Sequence, residues 1–279
     1  VENQRLLEAC DGREIFFENK DGRIVLMYPL LGRVLIGTTD IKVDITEEIK
    51  CTEEEVDYFI ELVKLVYPDI EVNRSQIVYR YSGVRPLPAA DDLSPGFVSR
   101  DYRIELTKPM NQGFGLLSLV GGKWTTFRAL GEHLADEAMK LIGARRKVST
   151  AELAISGGRD YPGTETERNS WLANNSHGVD LARAEQLLSR YGTRAEALLR
   201  KISESGEQMI ADTSYSDTEI QHLIATESVV NLSDLIYRRT NIGFVGDSDA
   251  SVLNQVAAIG KEQLGWKIEE QLAEFASAN

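Results

Sequence analysis

The chain has 279 residues, of which 42% are hydrophobic and 27% are charged, and its formal net charge at pH 7 is −13. Such a composition is typical of a globular protein of one large or two ordinary domains, and no apolar run approaches membrane-spanning length. The negative charge repels nucleic acid on average, which argues against a nucleic-acid partner. The two cysteines, Cys10 and Cys51, fit neither a metal site nor a redox motif. Together with the lack of a signal-peptide pattern, this favours a cytoplasmic protein.

The first part of the chain, to about residue 128, has mainly strand character. Segments 22–30 (GRIVLMYPL) and 32–40 (GRVLIGTTD) are β-branched runs separated by turn residues. The next segment, TEEEVDYFIELVKLVYP, predicts a helix, because Thr52 and Glu55 have the spacing of a capping box and Pro68 ends the pattern. Strand character returns in the segments SQIVYRYSGVRPL, GFVSRDYRIEL and GFGLLSLVGG.

Helical spacing prevails in the second part. Apolar residues recur at intervals of three and four in segments such as LARAEQLLSRYG, DTEIQHLIATESVV and ASVLNQVAAIGKEQLG. The stretch AISGGRDYPGTET has the composition of a linker. The sequence therefore predicts an α+β chain in which residues 1–150 form a partial sheet with a bridging helix and residues 151–279 form an all-α domain.

Several familiar site patterns fail on inspection. A Walker loop ending at Lys123 would need glycine where Leu117 stands and a hydroxyl residue where Trp124 stands. The string GFGLLS leads into a strand, whereas a dinucleotide fingerprint must follow a strand and open a helix. The histidines are scattered over predicted helices and are interpreted as solvated positions, so no metal site is predicted. They are His133, His177 and His222.

A glycine pair precedes the bridging helix and is the first candidate for chemistry. The first turn of a helix has free N–H groups and a partial positive charge, and glycines let a ligand approach the backbone. A lysine and two threonines at this turn would help to hold a phosphate or an electron-rich planar oxygen. A structural turn capped by threonine remains the alternative. The residues are Gly121, Gly122, Lys123, Trp124, Thr125 and Thr126.

Two arginines near strand ends are the second candidate. Strand alternation places Arg85 on the face of Tyr79 and Tyr81. The same alternation places Arg100 on the face of Tyr102. An arginine on an apolar face is costly unless it is paired, so either a carboxylate or a bound anion is expected beside each. The carboxylates nearest in sequence are Asp91, Asp92 and Asp101.

The motifs LIGTTD, YSGVRPL, SRDY and GGKWTTFRALGEHLADEA, in this order and spacing, resemble the FAD-dependent glycerol-3-phosphate dehydrogenases. The tail LIYRRTNIGF…AAIGKEQLGW resembles the C-terminal helical domain of that family, whose fold is of the D-amino-acid-oxidase type. The resemblance implies an FAD cofactor and oxidation of sn-glycerol 3-phosphate to dihydroxyacetone phosphate, with electrons passed to a quinone. An oxygen-using glycerophosphate oxidase shares these motifs and stays open.

The resemblance also implies roles for particular residues. Arg85, Arg100 and Lys123 would hold the substrate anion at the catalytic site, and the turn from Gly121 to Thr126 would face the pyrimidine end of the flavin. The family usually has leucine where this chain has Trp124, and the change leaves the turn chemistry intact. The helical domain is expected not to touch the flavin, and Arg238 and Arg239 are assigned to domain packing.

The family's dinucleotide fingerprint and its active-site histidine are expected upstream of the segment VENQ and do not occur in the chain. The expectation is therefore a C-terminal portion of a longer enzyme, which alone is inactive and binds FAD weakly or not at all. Peripheral membrane contact at the inner face would belong to the missing part. A non-catalytic helical interaction module is the alternative, and the oligomeric state, including a homo-oligomer, stays open.

Overall fold

The computed structural model describes residues 1–44, 46–84, 101–108 and 113–277. Its first layer is a three-stranded antiparallel sheet of order β1–β2–β3 with helices packed on it. Short strands alternate with turns here, as the β-branched runs predict. The elements are α1 (Gln4–Cys10), β1 (Ile15–Glu18), β2 (Ile24–Leu30), β3 (Arg33–Gly37) and α2 (Glu53–Val66).

The core of this layer follows from strand alternation in β2. Val25 and Met27 are buried on one face of the strand, and they belong to the same cluster as Leu6 of α1 and Leu62 of α2. The register pairs Met27 with Ile36 of β3 and thereby fixes which face of the sheet points inward. The two strands predicted from residues 22–40 are therefore confirmed, although β3 ends at residue 37.

The predicted capping box of α2 is confirmed in both directions. The Thr52 hydroxyl accepts from the Glu55 backbone N–H at 3.2 Å, and the Glu55 carboxylate accepts from the Thr52 N–H at 2.8 Å. The helix ends at Val66, two residues before Pro68, because proline cannot continue the hydrogen-bond ladder.

A second layer contains an antiparallel hairpin and the bridging helix. Its elements are β4 (Arg103–Thr107), β5 (Leu116–Val120), a 3₁₀ turn (Trp124–Thr126) and α3 (Phe127–Leu141). No residue in these four elements is buried. Exposed aromatic side chains lie at both ends of β5, with Phe114 86% and Trp124 89% accessible. We call these elements the hairpin layer.

The strand predicted for the segment SQIVYRYSGVRPL is wrong over its described part. Residues Arg74–Gln76 form a 3₁₀ turn, and residues 77–84 pair with no strand in the part of the chain that the structure describes. The alternation of side chains is nevertheless real. Tyr79 and Tyr81 both contact Phe244 of the helical domain, whereas Arg80 between them pairs with a glutamate of α2. Among the described residues, the apolar face is covered by Phe244 of the helical part and not by a neighbouring strand.

The all-α character of the second part is confirmed. Two buried clusters support it, one between α5 and α6 and one around α7, α8 and α9. None of the described helices is both long and apolar enough to cross a bilayer. The helices are α4 (Glu165–Asn175), α5 (Leu181–Tyr191), α6 (Ala195–Ser205), α7 (Asp217–Thr226), a π-helix (Asp234–Arg239), α8 (Ala250–Leu264) and α9 (Ile268–Ser277).

The predicted linker is docked on the helical domain. A Cβ on Gly157 would lie only 1.9 Å from the Tyr191 carbonyl oxygen, so no other residue fits without a shift. The Thr193 hydroxyl donates to the carbonyl oxygens of Gly157 and Arg159 at 3.1 and 2.8 Å. The segment is therefore anchored at the junction of α5 and α6 and is not a free spacer.

Candidate functional site

The glycine pair turns the chain from β5 into α3. Gly121 and Gly122 have φ values of +78° and +104°, in the region that favours glycine. A Cβ on Gly121 would lie 2.8 Å from the Asp101 carbonyl oxygen, and one on Gly122 would lie 3.3 Å from the Leu130 side chain. The path of the chain thus requires both glycines, which is the structural alternative that the sequence left open.

The helix start leaves two backbone donors free. The Thr126 N–H donates to the Lys123 carbonyl oxygen at 3.0 Å, and the Thr126 hydroxyl accepts from the Lys123 N–H at 3.3 Å. The N–H groups of Trp124 and Thr125 have no acceptor within the described ranges, as is usual for the first positions of a helix. They provide a small patch of positive potential at the exposed end of α3.

Lys123 adds a full positive charge to this helix start. Its side chain is exposed and has no hydrogen bond or ion pair with any residue that the structure describes. By contrast, Lys64 on α2 pairs with Glu61 at 2.6 Å. A free ammonium beside two free N–H groups suits an anion or an electron-rich oxygen, in a chain whose net charge is −13.

Aromatic side chains flank the turn on two sides. The exposed Trp124 ring lies 6.1 Å from the Phe127 ring, at an interplanar angle of 33°. On the other side, Tyr102, which directly precedes β4, meets His133 of α3 edge-on at 5.7 Å. The Tyr102 contact joins the hairpin to α3 beneath the turn, so it helps to fix the direction in which the helix start points.

The two predicted site arginines, Arg85 and Arg100, lie outside the described residues. Asp101, which follows Arg100 in the chain, lies against Gly121 through its carbonyl group. The chain therefore enters β4 next to the turn that carries Lys123. The shared cavity of both arginines with Lys123 stays a prediction.

No metal site is found in the described part of the chain, since no group of three or more histidine, cysteine, aspartate or glutamate side chains converges there. His133 lies on α3 and His222 on α7, as predicted. His177 lies in the turn after α4 with a φ of +51°, so its helical assignment is wrong. Burial lowers the pKa of His222, which favours its neutral form.

A buried charge cluster that the sequence did not predict lies in the helical domain. The fully buried Glu219 accepts from Arg183 at 2.5 Å, from Arg190 at 2.9 Å and from the Tyr191 hydroxyl at 2.9 Å. Burial beside the Glu219 charge raises the pKa of Tyr191 far above its usual range. Arg183 also pairs with Glu207 at 2.7 Å. Since these charges satisfy one another, we assign the cluster to packing of α5 on α7.

The arginines assigned to packing also bond within the helical domain. Arg238 pairs with Asp234 one turn earlier at 2.7 Å, and Arg239 donates to the Glu227 carbonyl oxygen at 2.7 Å. Neither contact involves the hairpin layer. Both contacts stabilise the π-helix and the chain just before it.

Comparisons with known proteins match the chain in two parts. Residues 3–137 match the family model described as FAD dependent oxidoreductase. Residues 148–271 match the model described as the C-terminal domain of alpha-glycerophosphate oxidase. The two matches leave residues 138–147, which include the end of α3, between them.

Curated relatives carry a consistent name. A glycerol-3-phosphate dehydrogenase of Synechocystis sp. is 31% identical over 259 residues, which is 90% of this chain and 46% of that protein. The mitochondrial glycerol-3-phosphate dehydrogenase of Homo sapiens is 27% identical over 268 residues, 90% of this chain and 35% of that protein. The chain thus spans less than half the length of these relatives.

A solved structure shares the fold. The glycerol-3-phosphate dehydrogenase from Bacillus halodurans, complexed with FAD, matches with a TM-score of 0.67 and 22% sequence identity. The match covers 95% of this chain and 52% of that protein. Both the sheet unit and the helical domain therefore have counterparts in one known architecture.

Proposed function

We propose that this chain, whose residues 3–137 match the FAD dependent oxidoreductase family model, is part of an enzyme that oxidises sn-glycerol 3-phosphate to dihydroxyacetone phosphate. The curated relatives are named glycerol-3-phosphate dehydrogenases, and the matches extend over 90% of the chain. The observation that carries the proposal within the structure is the start of α3, where Lys123 and two N–H groups lie together without a partner among the described residues.

FAD fits this helix start as its cofactor. The turn offers donors and positive charge, which suit the pyrimidine end of the isoalloxazine ring, and the chain's path already requires the glycine pair. When bound, FAD supplies the acceptor for a hydride from C2 of the substrate. The N–H groups of Trp124 and Thr125 and the dipole of α3 would stabilise negative charge on the pyrimidine end of the bound flavin.

The substrate carries a phosphate dianion that must be held in one orientation. We assign this task to Arg85 and Arg100, whose guanidinium groups can each grip a phosphate with two parallel donors. Lys123 serves as a point charge next to them. With the phosphate held by these cations, the C2 carbon of the substrate would be oriented toward the bound flavin, which favours the reactive geometry.

Residues 1–279 are proposed to be the C-terminal portion of this enzyme. The proposal is supported by the share of each relative that the chain covers, 46% and 35%. Reading the coding sequence upstream of Val1 tests it directly. A strand–GxGxxG–helix pattern is expected there, and its absence would favour the non-catalytic helical module instead.

A quinone is the proposed electron acceptor, and oxygen is the second candidate. Oxygen is kept as a candidate because residues 148–271 match a family model described as the C-terminal domain of alpha-glycerophosphate oxidase. Oxidation of glycerol 3-phosphate by the full-length protein should reduce a soluble quinone analogue and yield little peroxide. One peroxide per substrate oxidised would identify an oxidase. A flavin-loaded protein that oxidises no glycerol 3-phosphate would overturn the proposed activity.

A further inference from the structure

Five aromatic rings form a continuous set of stacked and tilted contacts between the sheet unit and the helical domain. Tyr79 stacks on Tyr237 at 5.4 Å, and Tyr237 stacks on Phe275 at 5.3 Å with nearly parallel planes. Phe244 contacts Tyr79 at 5.7 Å and Tyr81 at 5.1 Å. We call these five residues the aromatic column. It joins the segment 77–84 to the π-helix, to the loop after it and to α9.

The segment 77–84 receives little other support in the described part of the chain. It has no strand partner there. On its opposite side, Arg80 pairs with Glu53 at 2.6 Å, but both side chains are about half exposed, and such pairs contribute little. The position of the segment is therefore set mainly by the helical domain.

Close contacts with Val78 and Arg33 hold the loop of the helical domain against the sheet unit. A Cβ on Gly246 would lie 2.6 Å from the Val78 Cβ, so the loop approaches the segment as closely as glycine allows. Arg33 of β3 donates to the Val245 carbonyl oxygen at 3.1 Å and lies 3.7 Å from Asp247. The ring of Phe244 is therefore presented to Tyr79 and Tyr81 from a loop that is itself anchored.

The chain runs from the aromatic column directly to a proposed site residue. Tyr81 precedes Arg85 by four residues, and four extended residues span at most about 14 Å. We propose that the aromatic column holds the segment 77–84 in the position that binding of the substrate phosphate requires. Tyr79, Phe244 and Tyr237 are then positioning residues for that phosphate. This inference rests on the proposed function, because it assigns the helical domain a task in that same site.

Stacked rings are suited to this task because they have few rotatable bonds and a defined mutual geometry. Removing Phe244 leaves a gap beside Tyr79 and Tyr81, and the segment then loses its lateral support. A displacement of about 1 Å at a positioning contact can cost up to about a hundredfold in rate or affinity. The effect should fall on binding of the phosphate and not on the flavin, which the helical domain is expected not to touch.

The test compares Phe244→Ala with Leu199→Ala in the full-length, FAD-loaded enzyme. Leu199 is fully buried in the cluster between α5 and α6 and makes no contact with the aromatic column, so its variant controls for loss of stability. Phe244→Leu, which keeps most of the volume, replaces Phe244→Ala if the alanine variant does not fold.

We expect Phe244→Ala to raise KM for glycerol 3-phosphate by about tenfold or more, with a much smaller change in kcat. The Kd of inorganic phosphate, measured by titration calorimetry, should rise by the same factor, and FAD content should not change. Leu199→Ala should lower the melting temperature and leave KM and Kd within about twofold of the wild type.

Equal KM and Kd in the wild type and Phe244→Ala would overturn the inference while leaving the proposed function intact. The same holds if Leu199→Ala raises both constants as much as Phe244→Ala does, because the effect would then follow stability alone. A wild-type holoenzyme that does not oxidise glycerol 3-phosphate would overturn the proposed function itself, and the inference with it.

Discussion

Replacing Glu219 by glutamine should strongly destabilise the helical domain. The carboxylate is fully buried and accepts from Arg183 and Arg190 at 2.5 and 2.9 Å. Removing one member of a buried ion pair typically costs about 3–5 kcal/mol, because an uncompensated charge stays behind. Arg183 keeps its ion pair with Glu207 at 2.7 Å, so Arg190 is the arginine that is left without a carboxylate partner among the described residues. We therefore expect the lower end of that range, about 3 kcal/mol, or a fall in melting temperature of about 10–15 °C.

The matched control is Glu196→Gln. Glu196 pairs with Arg200 one helical turn later at 2.8 Å and lies 3.9 Å from His177, but the side chains of the Arg200 pair are about half exposed. Such a pair contributes about 0.5 kcal/mol at most, so the control should melt within about 2 °C of the wild type. Thermal unfolding of the full-length protein, followed by far-ultraviolet circular dichroism, measures both. Equal melting temperatures for the two variants would refute the view that the buried cluster stabilises this domain.

Gly121→Ala should lower both melting temperature and FAD content more than Gly206→Ala does, because both glycines have positive φ but only at Gly121 would the added Cβ meet a backbone oxygen, at 2.8 Å. Equal losses would mean that backbone strain alone matters. Stability should fall as the pH drops below about 6.5, the usual pKa of histidine, since burial lowers the pKa of His222 in the folded state and the unfolded chain then binds the extra proton. His222→Gln should flatten this part of a stability-against-pH curve; a slope identical to that of the wild type would contradict the assignment. Arg85→Lys should fold normally but lose roughly ten- to a hundredfold in kcat/KM, since a charge-assisted hydrogen bond contributes about 1.5–3 kcal/mol. A large loss of stability with unchanged kinetics would instead indicate a buried carboxylate partner.

Local signals in the sequence predicted the elements whose causes are local. The capping box of Thr52 and Glu55 defines where α2 begins, and Pro68 limits where it ends. The alternation of Val25 and Met27 predicts which face of β2 is buried. In both cases, the residues that determine the structure are within a few positions of one another, so a single sequence contains the information.

The strand predicted around Tyr79 failed for a physical reason. Alternating apolar residues show that one face of an extended segment is covered, but not what covers it. Here Phe244, 165 residues after Tyr79, supplies the cover. Gly157 is similar, because its tight contact with Tyr191 depends on the packing of α5 and is invisible in a glycine-rich stretch.

The candidate site was predicted in part. The position of the turn and the helix start at residues 121–126 follows from the glycine pair between a strand and a helix. The glycines themselves, however, serve the path of the chain against Asp101, which local spacing does not distinguish from approach of a ligand. The roles of Arg85, Arg100 and Lys123 depend on long-range geometry and on the resemblance, and they stay predictions.

The hairpin layer has a consequence for the order in which the chain gains protection from solvent exchange. Its elements contain no buried residue, whereas α5 to α9 enclose two apolar clusters. Local opening free energies rise with buried contacts, so the amides of β4, β5 and α3 in these 279 residues should exchange soonest. The helix start that we assign to the flavin therefore belongs to elements that have no buried residue and a low free energy of local opening. A ligand that binds there also supplies part of the free energy that orders its own site.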